Sequence, residues 1–100
     1  KINGNLGWKF WKSVTGTTKI VLPESFEELN IKITAANFAY VYHILRKHLT
    51  TSDENFLQGF DNGNTNYCNV IITKTNLQPG SFLANGVDYT RSSACSVYYR

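Results

Sequence analysis

One hundred residues amount to one domain, and a chain of that size buries roughly two-thirds of the surface its unfolded form exposes, enough for a single core. Charged residues make up only 17%, while eleven Asn, ten Thr and seven Ser outweigh five Ala, four Glu and no Met, which disfavours a helical bundle or coiled coil. The net charge is +3, but the basic residues are scattered from Lys1 to Arg100 without forming a block, so no nucleic-acid partner is expected. The longest apolar run is the five residues Phe38 to Tyr42, so no membrane insertion is expected, and no charged-then-apolar leader opens the chain.

The chain begins at Lys1, not Met, and residues 1–7, with two Gly and two Asn, read as a linker from a longer parent chain, leaving 8–100 as the domain. Trp8 to Thr15 is expected to be a first strand, with Trp8, Phe10 and Val14 alternating with Lys9 and Ser13; Trp11 breaks that alternation. Thr17 to Leu22 reads as a second strand stopped by Pro23, and Glu24 to Glu28 as a helical turn with its acids at the positive end of the backbone dipoles. Leu29 to Ala35 has period two: Leu29, Ile31, Ile33 and Ala35 share one face, and Asn30, Lys32 and Thr34 the other.

Residues 38–49 fit a helical stripe as well as a strand, and the aromatic and β-branched content favours a strand over 38–45. Thr51 to Glu54 has capping-box spacing, predicting a short turn before Phe56 and Leu57 that Gly59 ends. Residues 61–66 are all turn-prone and form a loop or hairpin tip; Tyr67 to Thr75 is a strand, and Pro79-Gly80 a turn. Asn85-Gly86 between Ser81–Ala84 and Val87–Tyr89 is a hairpin signal, and Ser93 to Tyr99 is the last strand. About eight short strands predict an all-β, two-sheet antiparallel β-sandwich of jelly-roll type.

Catalytic patterns are sparse. His43 and His48 lie five residues apart with no metal or protease motif around them, no nucleophile elbow occurs, and only Asp61 and Asp88 suggest themselves as an acid pair, without supporting spacing. No enzyme activity, cofactor or metal is expected. Cys68 and Cys95 lack zinc-ligand spacing and read as small buried hydrophobes or as the two halves of one disulfide. The cluster Arg46-Lys47-His48 reads as a solvated strand end or as an anion patch.

Binding residues are more visible. Trp11, out of phase with its strand, is a candidate for stacking on a sugar or packing on a neighbouring subunit, with burial at a sheet edge as the alternative. The loop holding Asp61, Asn62, Asn64, Asn66 and Tyr67 combines a carboxylate, amides and an aromatic, an inventory suited to hydroxyl-rich ligands and also to an ordinary hairpin tip.

The opening Gly7-Trp8-Lys9 through Ser13-Val14-Thr15-Gly16-Thr17-Thr18, then Leu22-Pro23, Phe26-Glu27-Glu28-Leu29, Leu49 to Phe56, Gly86-Val87-Asp88-Tyr89 and the terminal Val97-Tyr98-Tyr99-Arg100 resemble a C-terminal domain of phage and prophage tail or fibre proteins from Gram-positive, often gut, bacteria. The resemblance spans nearly the whole chain, with Trp11 and Cys68 as departures. It implies a β-sandwich tip on a longer, commonly trimeric, virion protein made in the bacterial cytoplasm. The implied role is recognition of a host cell-surface glycan or other receptor, or else capping, trimerisation or virion decoration.

Overall fold

A computed structural model describes residues 7–60 and 65–100. Among these described residues nine strands run in chain order: β1 (Lys9–Thr15), β2 (Ile20–Val21), β3 (Glu28–Ala35), β4 (Phe38–Leu45), β5 (Glu54–Gln58), β6 (Tyr67–Ile72), β7 (Asn76–Ala84), β8 (Val87–Asp88) and β9 (Ala94–Tyr99). They form two antiparallel sheets, a four-stranded one in the order β1-β9-β3-β4 and a five-stranded one in the order β2-β7-β6-β5 with β8 paired to β7. The sheets pack face to face as a β-sandwich, as the composition and strand spacing predict.

Alternation decides which side chains meet between the sheets. Leu29, Ile31 and Ile33 from β3, Tyr42 and Ile44 from β4, and Cys95 and Val97 from β9 face Ile20, Cys68, Val70, Ile72, Leu77 and Phe82 of the other sheet, all buried. Phe26 and Leu49, from the connections, close the core. Each fully buried large apolar side chain stabilises the fold by roughly 1.5–3 kcal/mol relative to exposure. Cys68 and Cys95 belong to this core as free thiols, and burial pushes the Cys95 thiol up to about 12 and raises that of Cys68 as well.

Strands β3, β4 and β9 and the Asn85-Gly86 hairpin form where the sequence predicts. The hairpin turn places Asn85 at φ 52° and Gly86 at φ 77°, the left-handed pair that an Asn-Gly turn supplies. Of the predicted second strand, only Ile20–Val21 pairs, and β6 ends at Ile72, because Thr73 Oγ1 accepts the N–H groups of Thr75 and Asn76 and turns the chain.

Other expectations fail for identifiable reasons. No helical turn forms over 24–28: the N–H groups of Glu27 and Glu28 both donate to the Arg100 carbonyl, at 2.7 and 2.9 Å, and Phe26 is drawn into the core. The segment after Thr51 is also not a capped turn, since Glu54–Gln58 pairs along β6 as an edge strand. Pro79 and Gly80 lie inside β7, not at a turn. The β6–β7 register shifts between Cys68 and Val70, so Asn69 faces an extra residue of β7, and such a bulge tolerates the missing N–H of Pro79. Gly80 is required there because a Cβ would occupy the place of the Asn69 amide, which accepts the Ser81 N–H at 2.7 Å and donates to Asn55 Oδ1 at 2.8 Å.

A second bulge reorients β1. Its register with β9 passes from Phe10 opposite Tyr98 to Lys12 opposite Val97, leaving Trp11 as the extra residue. A bulge of one residue reverses the faces of everything on one side of it. Val14 therefore points towards the core, whereas Phe10, expected on the same face as Val14, points outward and is 57% exposed.

Candidate functional site

The outer face of the four-stranded sheet carries the candidate site. Register places Phe10 beside Tyr98, Tyr98 beside Asn30 and Asn30 beside His43, so these four form one row across all four strands. Trp8, Phe10, Asn30 and Tyr98 line an open cleft of about 440 Å³. Phe10 and Tyr98 meet edge to face, with ring centroids 5.5 Å apart, and both are exposed, Tyr98 less than Phe10. Asn30 is half-buried among them, and its side-chain amide has no hydrogen bond among the described residues.

Trp8 is held in place from beneath. The Arg100 guanidinium lies 4.3 Å from its ring centroid and the His43 ring 6.0 Å away, edge-on. Both of those groups are fastened to Glu28. His43 Nε2 donates to Glu28 Oε1 at 2.7 Å, and Arg100 donates from Nε to Oε2 at 3.3 Å and from Nη2 to Oε1 at 3.4 Å. The hydrogen bond from His43 and then those from Arg100 hold the Glu28 carboxyl below its ordinary range. One wall of the cleft thus rests on a charged cluster that ties β3, β4 and the chain end together.

Chemically the cleft offers aromatic rings for stacking and an amide with an open acceptor and two open donors. That combination suits a flat ligand with apolar ring faces and polar edges. No three His, Cys, Asp or Glu side chains gather to hold a metal ion among the described residues.

Of the residues predicted from sequence, Trp11, Asn66 and Tyr67 lie outside this cleft. Trp11, the bulge residue, donates its indole N–H to the Val21 carbonyl at 2.7 Å and packs edge-on against Tyr99, at 5.7 Å and 86°. It braces β1 at the edge of one sheet to β2 at the edge of the other. Asp61, Asn62 and Asn64 lie outside the described residues. Asn66 Oδ1 accepts the Asn85 N–H at 3.1 Å, and the Thr65 carbonyl accepts the Gly86 N–H at 3.0 Å, so this end of the loop is clipped to the hairpin tip. Tyr67 is half-buried against Phe60.

Trp11 and Tyr67 do not converge. Val21 pairs with Asn76 and Tyr67 with Leu83, positions separated by about 23 Å at ~3.3 Å per residue of strand. Arg46, from the basic cluster, lies over the Phe26 ring, 4.7 Å from its centroid. A second cleft, of about 370 Å³ beside β8, is lined by Ser81, Asp88, Thr90, Arg91 and Ser92, and two of these are bonded to each other: Asp88 Oδ1 accepts both the Thr90 N–H at 2.9 Å and the Thr90 hydroxyl at 2.5 Å, while Thr90 Oγ1 accepts the Phe82 N–H.

Sequence reading missed Trp8, Phe10, Asn30 and Tyr98 as a group. The available signals were the phase break at Trp11, which marks the bulge, and the outward parity of Asn30 and Tyr98 in two cleanly alternating strands. Comparison of the chain with protein-family models, curated proteins and solved structures finds no match in any of the three.

Proposed function

We propose that this domain is a non-enzymatic binding module that takes a cell-surface glycan on the outer face of its four-stranded sheet. The observation that carries this reading is the unbonded Asn30 amide set between the half-buried ring of Trp8 and the exposed rings of Phe10 and Tyr98. Sugars present apolar C–H faces that stack on aromatic rings and hydroxyl edges that need both a donor and an acceptor, and this cleft supplies each. A rigid sheet fixes three of the four lining residues, so little ordering cost falls on binding. The sequence resemblance supports the wider context, a receptor-binding tip at the end of a phage-like tail fibre carried on the virion.

The test is a glycan array, with a host-cell pull-down, using the 100-residue protein and its Asn30→Ala and Tyr98→Ala variants. The expected result is a defined set of glycans retained by the parent protein and lost by both variants. Silence of the parent protein on the array and on cells of the correct host contradicts the proposal, as does retention unchanged in both variants.

A second reading, trimerisation or capping within a fibre, is favoured by a separate observation. Val41 and Leu57 are about half exposed and Phe60 more so; the Gln58 side chain donates to the Val41 carbonyl at 2.5 Å, bringing the β4 and β5 edges together. Sedimentation of the protein against Leu57→Ser checks it: a parent trimer that dissociates in the variant, with glycan binding intact, favours assembly.

A further inference from the structure

We infer that the glycan this cleft takes is acidic, carrying a carboxylate that Lys32 receives; the inference rests on the glycan-binding reading above. Lys32 lies two residues beyond Asn30 on the same outward face of β3, its Cα about 6.7 Å from that of Asn30 at ~3.35 Å per residue. It is exposed, and register sets it between Ser96 of β9 and Val41 of β4, in the row next to Phe10, Tyr98 and Asn30.

Charge on this face is unbalanced. Among the described residues its outward positions hold one acid, Glu28, and that carboxylate is fully engaged by Arg100 and His43. Lys32 makes no ion pair among the described residues, so its charge on this face is not compensated within the chain. The neighbouring row adds hydroxyls: Ser13 and Ser96, with their oxygens 3.4 Å apart, lie beside Lys32 and extend the polar surface away from the rings.

A saccharide stacked on Phe10 and Tyr98 with its edge on Asn30 thus meets a cation and two hydroxyls on its far side. A single flexible ammonium matches a single negative charge; a phosphate, with more charge and three acceptor oxygens, is usually gripped by guanidinium forks or several N–H donors, which this row lacks. The favoured group is a carboxylate, as on a uronic acid.

The experiment is calorimetric titration of the 100-residue protein with a panel of uronic-acid oligosaccharides, each paired with its carboxyl-reduced neutral form, and a matching sugar phosphate, at low and at 0.5 M salt. An exposed ion pair predicts about fivefold tighter binding of the acidic form at low salt, shrinking at high salt. Lys32→Gln should remove that preference while leaving the neutral form's affinity unchanged. Equal affinity for acidic and neutral forms, a preference that survives Lys32→Gln, or a stronger preference for the phosphate overturns the inference and leaves glycan binding standing. Binding of neither member of any pair overturns the inference, and the array and pull-down above then decide the reading beneath it.

Discussion

The outer faces of the two sheets use the same residue type in opposite ways. On the five-stranded sheet the amides are bonded to the chain itself: Asn69 to Asn55 and to the Ser81 N–H, and Gln78 through its Nε2 to the Thr17 carbonyl at 3.0 Å. On the four-stranded sheet the Asn30 amide is unbonded among the described residues and is ringed by aromatic side chains. An Asn-rich composition therefore says little about binding. What separates a structural amide from a ligand-facing one is whether its partners lie within the chain.

The largest effect that tests this contrast is expected at Gly80. Gly80→Ala forces a Cβ into the Asn69 amide and breaks the bulge that orders β6 against β7. Denaturant unfolding should show a loss of about 3 kcal/mol, within the range of severe single substitutions. Glycan binding by the folded fraction should persist, because the cleft is on the other sheet.

The sharpest comparison is Asn69→Ala against Asn30→Ala. The first strips two partners from a buried network and should cost about 2 kcal/mol in the same assay. The second removes no internal hydrogen bond and should stay within about 0.5 kcal/mol of the parent while abolishing glycan binding. Equal stability losses would erase the distinction between the two faces.

The two tryptophans, three residues apart, repeat the contrast on a smaller scale. Trp11→Phe removes the indole bond to Val21 and should cost about 1 kcal/mol without touching affinity. Trp8→Phe keeps a ring over Arg100 and should lower affinity with little change in unfolding.

Acid titration gives the smallest effect. The folded Glu28 carboxyl sits below its ordinary value of 4.5, so the folded state binds fewer protons there than the unfolded state. Its contribution is fully present above that value and is lost as pH falls through the lowered one. Unfolding of the parent protein and of Glu28→Gln, followed from pH 6 to pH 3, should therefore differ at pH 6 and converge in acid.

Much of the sandwich was legible in the chain. Strands β3 and β9 alternate cleanly because one face is core and the other solvent, and Asn85-Gly86 encodes its own turn. The failures over 24–28, 51–58 and 79–80 share a cause: each depends on a partner far away in sequence. Thr51 to Glu54 has the pattern of a helix start, yet pairing along β6 decides the backbone of Glu54–Gln58. Pro79-Gly80 has the composition of a turn, and only Asn69 across the ladder makes it a bulge. The cleft was hidden for the same reason. Trp11 was visible as an irregularity, and that irregularity is a bulge whose effect also falls on its neighbour: Trp11 donates to the Val21 carbonyl, and Phe10 turns outward to meet Tyr98.

The central claim is that the ligand sits over Asn30, and amide chemical-shift mapping tests it most directly. In nitrogen–proton spectra of the labelled protein titrated with a glycan retained on the array, the largest shifts should fall on the Trp8 indole N–H, the Asn30 side-chain amide and the backbones of Phe10 and Tyr98. Shifts centred on Asn55 and Asn69, or on residues 61–67, with the Asn30 amide unmoved, would contradict the account.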